Sequence, residues 1–422
     1  MSVYSTTSFH HGISSGPVKT LHWPAITLAL CCIYLSCCTV TFADPLLLAA
    51  KNGNEDAQRA YAWQQLRDIT QLDSKGMPVF THWISELQTF STNPENLSAP
   101  AFPGAPATTD GDRNPSGHGR HGGPLINFMH FNPAAWQHIR SHRLYDEKRL
   151  DALAQSANKR AIAIPAFPQA AKVLMTAWWP VRKEGGSPMP VWEPDGAHRH
   201  TGSNSYLNWQ RVIAIKTAAE QHFDRVSFAG RVTQNPDAAE LTSLFYLPVD
   251  SGLANRIMAD PGFAQATHIA IGRPLQSGDY LALVGVHLMS KALPRGIWST
   301  FWWQDEAPVD NPPRENVVST PWNQYRMDTT FDTLIPAEKD ASPNICFNPW
   351  FDATFPDSGE GNGLKANCMS CHLRASFPRE EPLRITRGEP DILRDPAFSA
   401  GHVTTGMIWS IANTSRRGTT DD

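Results

Sequence analysis

Apolar residues recur at two different periods along this chain, and the two periods predict which segments are helices and which are strands. After Asn54, two acidic residues begin a stretch in which apolar side chains return every three positions, at Ala60, Trp63, Leu66 and Ile69. An asparagine followed by acidic residues is typical of a helix start. We therefore predict a helix here, and a second helix over the apolar segment 80–87.

Further helices are predicted in the next part of the chain. Asn132 and Pro133 supply an N-cap followed by proline at the first helical position. Another helical segment follows after residue 146. Spacings of eight and four would put three histidines on one helical side, although the absence of an accompanying acidic pattern favours ordinary surface histidines over a ligand cluster: His130, His138 and His142.

The middle of the chain is rich in runs that are typical of strands. The run 280–289 is continuously apolar and predicts a central strand that is buried on both faces. A Pro-Arg-Gly turn at 294–296 interrupts it, and the run 297–303 then predicts its hairpin partner. With further strand runs at 172–180 and 211–216, the pattern predicts an α+β fold, an antiparallel sheet with flanking helices, followed by a short, mainly helical C-terminal segment.

The first 43 residues are typical of an export signal. No charged residue occurs between Lys19 and Asp44, a long apolar run fills that interval, and small residues at 41–43 offer a cleavage site. An uncleaved membrane anchor is one alternative, because the run is nearly long enough to span a bilayer. A lipoprotein signal ending at Cys37 or Cys38 is another. We favour a cleaved signal and a periplasmic location, with membrane attachment only if the segment stays.

Composition then divides the rest of the chain. Residues 93–124 are rich in Pro, Gly, Ser, Ala and Thr, which predicts a linker or a long surface loop. We predict an N-terminal helical segment before it at 44–92 and a mixed helix and antiparallel-sheet body after it at 125–315. The remaining residues, 316–422, form a separate C-terminal segment in this division.

Cys368, Cys371 and His372 form the pattern C-x-x-C-H, which is the attachment signature of a c-type haem. The two thiols add across the vinyl groups of the haem, and the histidine binds the iron. The alternatives are a disulfide, a redox dithiol or part of a zinc site. A zinc site would need a second pair of ligands at similar spacing and a redox dithiol would need a βαβ context, and the sequence suggests neither. We therefore predict one covalent haem c in a cytochrome c-like segment at 316–422.

The remaining cysteines agree with this interpretation. Four of them lie inside the predicted signal and would leave with it: Cys31, Cys32, Cys37 and Cys38. Export also matches the chemistry, because bacterial c-type haem is attached outside the cytoplasmic membrane. Cys346 is then left without a partner, and we interpret it as a small buried hydrophobic residue rather than a reactive thiol.

The motif does not specify which residue is the sixth ligand of the iron. Met407 and His402 are the only methionine and histidine after the motif. Methionine is a common second axial ligand in cytochromes c and raises the reduction potential. We predict Met407 as this ligand. His402, a histidine or methionine from elsewhere in the chain, and a five-coordinate iron remain alternatives, and Met407 would otherwise belong to the core of a closing helix.

Three further stretches, together with the motif, carry a resemblance to a known family. They are a strand at 175–179 that is similar to Lys-Ala-Ala-Trp, a Val-Gly-x-His strand at 284–287 and a hairpin strand at 299–308, and the motif itself reads Asn-Cys-x-x-Cys-His at 367–372. On these stretches the chain resembles bacterial periplasmic proteins of a largely uncharacterised cytochrome c family. Their hairpin strand has a Glu-His pair where this chain has Trp302 and Trp303. The resemblance covers most of the mature chain and implies haem c and redox activity, but no particular substrate.

These observations lead to an expected function. The net charge of −4 and the lack of a basic run argue against a nucleic-acid surface. We expect an exported cytochrome that transfers electrons from its one haem to or from a partner protein. A haem enzyme of peroxidase or oxidase type acting on a small molecule is the alternative, because the body is large for a simple carrier. A haem-bearing sensor is a third hypothesis, which lacks a dedicated output domain.

Overall fold

The computed structural model describes residues 44–92, 102–103, 125–156, 162–193, 205–306, 318–331, 346–353, 368, 372–373, 375–378 and 402–414. The predicted signal at 1–43, most of the predicted linker at 93–124 and Cys371 lie outside these residues. Among the residues described, no helix is both long enough and apolar enough to cross a membrane.

The described strands, in chain order, are β1 (Ile84–Ser85), β2 (Ile126–Phe131), β3 (Ile162–Ala163), β4 (Lys172–Val181), β5 (Ser187–Pro190), β6 (Val212–Lys216), β7 (Arg225–Phe228), β8 (Arg231–Gln234), β9 (Ala238–Glu240), β10 (Tyr246–Pro248), β11 (Tyr280–Ser290), β12 (Ile297–Trp303), β13 (Tyr325–Phe331), β14 (Ser376–Phe377) and β15 (Val403–Thr404). The described helices are α1 (Pro45–Lys51), α2 (Glu55–Thr70), α3 (Glu86–Phe90), α4 (Pro133–Ser141), α5 (Glu147–Ser156), α6 (Ser251–Met258), α7 (Pro261–Ile271), α8 (Pro349–Asp352) and α9 (Trp409–Ala412).

A central antiparallel sheet organises these elements. Its strand order is β1-β2-β4-β11-β12-β13, and β10 also pairs with β11. Three smaller sheets surround it, and one of them joins β14, β15 and β3. The predicted α+β class with a mainly antiparallel sheet is therefore confirmed. Strand β13 lies within 316–422 and pairs with β12, so the predicted body and the predicted C-terminal segment share this sheet.

The hairpin of β11 and β12 is confirmed as predicted from the apolar runs. The two strands pair in antiparallel register from Gly285 opposite Trp302 to Ser290 opposite Ile297. Gly296 ends the connecting turn with a φ of 81°, a backbone conformation that glycine adopts without a steric penalty. Strand β11 is buried along almost its whole length, as its continuous apolar sequence predicts.

Helices α2 and α4 also begin where the sequence predicts. The Asn54 side chain accepts a hydrogen bond from the backbone of Ala57, and Asn132 does the same for Ala135. Helix α2 covers one face of the central sheet, where the ring of Trp63 lies 5.3 Å from that of Phe301 between centroids.

Two local predictions are wrong. Segment 80–87 is not one helix: a 3₁₀ turn at Val79–His82 is followed by β1 and then by α3. Ser85 explains the break, because its side chain caps the new helix through the backbone of Gln88 and therefore requires extended backbone just before it. His130 also does not share a helical side with His138 and His142, because it lies in β2.

The register of the sheet assembles two rows of side chains on the face opposite α2. Side chains alternate between faces along a strand, so residues paired across strands on one face form a row. One row, called here the His287 row, contains Met129, Met175, His287, Thr300 and Asp328. The next row along the strands, called here the Trp298 row, contains Phe131, Val173, Met289, Trp298 and Thr330.

Candidate functional site

The imidazole of His372 lies against the Trp298 row. Its ring centroid is 4.2 Å from that of Trp298, with 43° between the ring planes. The indole is itself held in place, because its Nε1 donates a hydrogen bond to the carbonyl oxygen of Arg295 at 3.2 Å. A rigid aromatic surface therefore positions the motif histidine on the central sheet.

One nitrogen of His372 is occupied by a backbone contact. Nδ1 lies 2.8 Å from the carbonyl oxygen of Met407, which only an N–H on Nδ1 can satisfy as a donor. Burial lowers the pKa of His372 to about 4, against the opposing effect of that hydrogen bond, and the nearby Lys291 ammonium lowers it further. The ring is thus neutral at pH 7 with its proton on Nδ1, and Nε2 carries the lone pair that a metal ion needs.

The Met407 carbonyl is held at this position by its own segment. Gly406 and Met407 both have left-handed backbone, with φ of 62° and 67°. Lys291 Nζ donates a hydrogen bond to the Gly406 carbonyl oxygen at 2.6 Å. Since β14 and β15 pair just beside these residues, segment 402–409 is attached to the segment that follows His372. The side chain of Met407 is buried, and α9 begins only after it, so Met407 does not belong to a closing helix.

The first motif cysteine lies beside Cys346. The thiol of Cys368 is 3.8 Å from the carbonyl oxygen of Cys346, and the thiol of Cys346 is 3.8 Å from that of Trp298. The hydrogen bond between the two thiols, together with burial, raises the pKa of Cys346 well above its ordinary value. Cys346 is fully buried, as expected, but its neighbour is a residue of the motif, which its position in the sequence does not indicate.

Three side chains of the His287 row are partly exposed in the middle of the sheet. Met129, Met175 and His287 are neighbours across three strands, and each is only partly buried. The side chain of His287 is 22% exposed, and its Nε2 lies 4.0 Å from Oδ2 of Asp352. Phe351 packs edge-on against the imidazole, with 4.2 Å between the ring centroids.

Helix α8 is fixed to this face by Asn348. The side-chain amide nitrogen of Asn348 donates hydrogen bonds to the Thr300 hydroxyl at 2.8 Å and to the Phe301 carbonyl at 3.0 Å. Its Oδ1 accepts from the backbone of Trp350, and its own N–H donates to Asp352. The sequence signal was present, because Asn-Pro at 348–349 repeats the helix start at 132–133, but we had not predicted a helix there.

Burial raises the pKa of two carboxyl groups on this face. The pKa of Asp352 rises to about 8, mainly through burial and further through the negative charge of Asp328. The pKa of Asp328 rises to about 6 through burial, opposed by the Phe347 N–H and by Arg59. At neutral pH, Asp352 therefore holds its proton for most of the time, whereas Asp328 is largely ionised.

The raised pKa of Asp328 predicts a change in the pH dependence of stability. A carboxyl whose pKa is higher in the folded state contributes most below its ordinary value of 3.8, and this contribution is lost as the pH rises through about 6. Asp328→Asn should therefore gain stability relative to wild type between pH 4 and pH 7, on the order of 2–3 kcal/mol.

Thermal or urea unfolding of both proteins across this pH range measures the difference. Asp328 also raises the pKa of Asp352 and of Cys346, so the difference between the two curves reports Asp328 together with its effect on these two neighbours. Parallel curves would show that Asp328 has an ordinary pKa in the folded protein.

A second prediction concerns the close contact between α8 and β11. A Cβ added at Gly285 would lie 3.0 Å from the Phe351 ring and 3.4 Å from the Cβ atoms of Ala177 and Trp350. Gly285→Val should therefore displace α8 and lower the free energy of unfolding by about 1–3 kcal/mol.

Urea unfolding tests this expectation, and the double variant with Phe351→Leu is the control. The penalty should shrink in that background, because the ring edge nearest the new side chain is gone. An equal penalty with and without Phe351→Leu would mean that the contact with α8 is not its cause.

The structure thus brings three of the four predicted site residues together. Cys368, His372 and Met407 all lie on the sheet face that carries the Trp298 row, while Cys371 lies outside the described residues. Met407 contributes its carbonyl oxygen to His372, and its role as the sixth ligand stays a prediction. Among the described residues, no group of three or more His, Cys, Asp and Glu side chains is arranged to hold a metal ion.

Comparison of the chain with protein-family models, with curated proteins and with solved structures finds no match.

Proposed function

We propose that this protein is an exported c-type cytochrome that carries one covalent haem c and transfers electrons. The observation that carries the proposal is the state of His372 within the C-x-x-C-H motif. Its Nδ1 is bound to the Met407 carbonyl, so the neutral ring offers Nε2 as a ligand. Histidines that bind metals almost always donate their other N–H to a carboxylate, a backbone carbonyl or water in this way.

Each residue of the motif has its own role in binding the haem. Cys368 and Cys371 supply the two thiols for thioether bonds, and His372 supplies the proximal ligand. The bound haem would supply a one-electron couple, which no amino acid side chain here provides. The hydrogen bond to the Met407 carbonyl orients the imidazole and makes it a stronger donor toward a metal.

The surroundings of the motif fit a haem. Buried apolar side chains pack around Cys368 and Met407 in one cluster that includes Trp298, Met289, Leu373 and Phe377. Such walls exclude water from a cofactor and help to set its reduction potential. Lys291, which directly follows β11, reaches this cluster and donates a hydrogen bond to the Gly406 carbonyl at the edge of the site.

The location and the partner follow from the same proposal. The apolar segment between Lys19 and Asp44 supports export to the periplasm, where haem is attached to such motifs. The resemblance to periplasmic cytochrome c proteins points in the same direction. An electron carrier needs a redox partner protein, and the chemistry of the site does not identify it.

A haem enzyme acting on a small molecule is the second candidate. The partly exposed His287 favours it, because His287 with Asp352 at 4.0 Å would give a proton-handling pair on the sheet face that carries the motif. Fast binding of cyanide or carbon monoxide by the loaded protein would favour this enzyme. Inertness toward both ligands would favour the electron carrier.

The optical spectrum of the exported protein tests the proposal. The full chain is produced in a host that matures c-type cytochromes, and a denaturing haem stain is combined with a pyridine haemochrome. We expect haem that stays on the denatured chain and a reduced spectrum of c type. Absence of covalent haem from the well-folded, exported protein would overturn the proposed function.

A further inference from the structure

We infer that Cys346 and Cys368 are a redox-sensitive pair, which closes to a disulfide bond when the chain is free of haem and meets a disulfide oxidant. This inference goes beyond the proposed function, because it concerns the chain before any haem is attached. The sequence alone favours Cys346 as a small hydrophobic residue without a partner. Three observations carry the pair: the contact between the two residues, the support of Cys346, and the exposure of Cys368.

The two cysteines are neighbours in space although they are far apart in sequence. The thiol of Cys368 lies 3.8 Å from the carbonyl oxygen of Cys346, and the two thiols interact directly with each other. Both are free thiols in the structure. A disulfide needs β-carbons about 3.5–4.5 Å apart, so it forms between cysteines that the fold holds side by side. The contact brings these thiols to the range from which rotation about side-chain bonds closes the bond.

Cys346 is held firmly on the central sheet. It is fully buried, and its thiol donates to the carbonyl oxygen of Trp298 at 3.8 Å. The backbone N–H of the next residue, Phe347, donates to Asp328 at 3.3 Å, and Asn348 is bound to β12. Because the fold has already ordered Cys346, closing a bond to it costs little further conformational entropy.

Cys368 is the thiol of the pair that an oxidant can reach. Its side chain is partly exposed, whereas that of Cys346 is buried. The contact with Cys368, together with burial, raises the pKa of Cys346, so Cys346 keeps its proton while Cys368 is a free thiol. The thiolate is the nucleophile in thiol–disulfide exchange. Cys368 therefore reacts first, and Cys346 second.

The oxidant belongs to the class of protein or small-molecule disulfides that oxidise thiols by exchange. Cys368, as a thiolate, attacks one sulfur of that disulfide, whose S–S bond breaks as a mixed disulfide forms. Cys346 then gives up its proton and attacks the sulfur of Cys368, and the second sulfur of the oxidant leaves. The two cysteines lose two electrons and two protons, and the oxidant takes up both as it becomes a pair of thiols.

The disulfide and the haem exclude each other at Cys368. A thioether bond to the haem needs the sulfur of Cys368 as a thiol, and the disulfide occupies that same sulfur. Haem attachment therefore requires this pair in its reduced form. A haem-free chain in an oxidising compartment is closed against haem until a reductant opens the disulfide. Cys371 is the competing partner of Cys368, because it is close in sequence.

Peptide mapping of the haem-free full chain tests the pair. The protein is produced in a host that lacks cytochrome c maturation, reduced without denaturant and oxidised with glutathione disulfide, and the remaining thiols are alkylated. Trypsin releases Cys346 in peptide 340–365 and both motif cysteines in peptide 366–374. We expect one cross-linked species, lighter than the two peptides together by two hydrogens and at least about tenfold more abundant than the separate peptides.

Two variants and one change of conditions identify the partner and the role of the fold. Cys371→Ala should keep the cross-link, whereas Cys368→Ala, the matched variant in the same peptide, should lose at least about tenfold of it. In urea, at the same ratio of oxidised to reduced glutathione, the wild-type cross-link should fall at least about tenfold, because only random loop closure then brings the two cysteines together.

Contrary outcomes overturn the inference without involving haem. They are separate peptides, a bond within peptide 366–374, a cross-link that survives Cys368→Ala, and an equal yield in urea. Covalent haem on protein from a host that matures cytochromes is a separate measurement. Its absence together with the cross-link would overturn the proposed function and leave the pair standing. Its presence, with no cross-link in the haem-free chain, would do the reverse.

Discussion

Cys368→Ala is expected to abolish stable covalent haem attachment, with about a tenfold or greater loss of haem stain on the denatured chain. The reason is chemical, because each thioether bond needs its own thiol and the motif supplies one per vinyl group. His372→Ala should remove the native haem spectrum, since the ring that packs against Trp298 and offers Nε2 is gone. The denaturing haem stain and the reduced optical spectrum of exported protein measure both effects.

Cys346→Ala is the matched control for this prediction. Cys346 is a buried cysteine in contact with Cys368, but it lies outside the motif. Its removal should leave the haem stain near the wild-type level. His402→Ala is the corresponding control for His372, as the other histidine of the C-terminal part. Full covalent haem in Cys368→Ala, or its loss in Cys346→Ala alone, would contradict the assignment of the motif.

The sequence could predict those helices and strands whose secondary structure is specified by local sequence preferences alone. Strand β11 is continuously apolar, and α2 and α4 carry asparagine caps, so these elements follow from local preferences. Strand β13 was missed although its polar and apolar residues alternate, because the run is short and lies within an irregular region. Its strand state depends on pairing with β12, which no local pattern specifies.

The candidate site likewise has a part that the sequence could predict and a part that it could not. The motif is local, so Cys368 and His372 were found from spacing alone. The partners of these residues come from distant segments: Trp298 from β12, the Met407 carbonyl and Cys346. Their approach is a consequence of packing on one sheet face, which a single sequence does not reveal.

His287 shows that the apolar pattern of a strand does not specify what covers each of its faces. Its strand is apolar on both sides of it, which favours a core histidine with satisfied hydrogen bonds. In the fold, the strands on either side place Met175 and Thr300 next to it, and the row stays partly exposed. The sequence predicted the strand correctly, but the environment of one face depends on which segments cover it.

Asn348→Ala should be among the most destabilising single substitutions on this face, costing about 2–4 kcal/mol. Asn348 is fully buried, and its side chain makes three hydrogen bonds, to Thr300, Phe301 and Trp350. Alanine would remove the cap of α8 and leave the buried Phe301 carbonyl without this donor. Because α8 carries Phe351 and Asp352, its loss should also disturb the surroundings of His287.

The equivalent change at Asn132 provides the comparison that isolates burial. Asn132 has the same Asn-Pro motif, and its side chain also makes three hydrogen bonds, to Ala135, Lys172 and Ala170, but it is only partly buried. Asn132→Ala should therefore cost less, about 1–2 kcal/mol, because water can replace the lost bonds at a partly exposed site. Urea unfolding of the two variants measures both costs. Equal losses would mean that burial of the three Asn348 bonds adds nothing to their contribution.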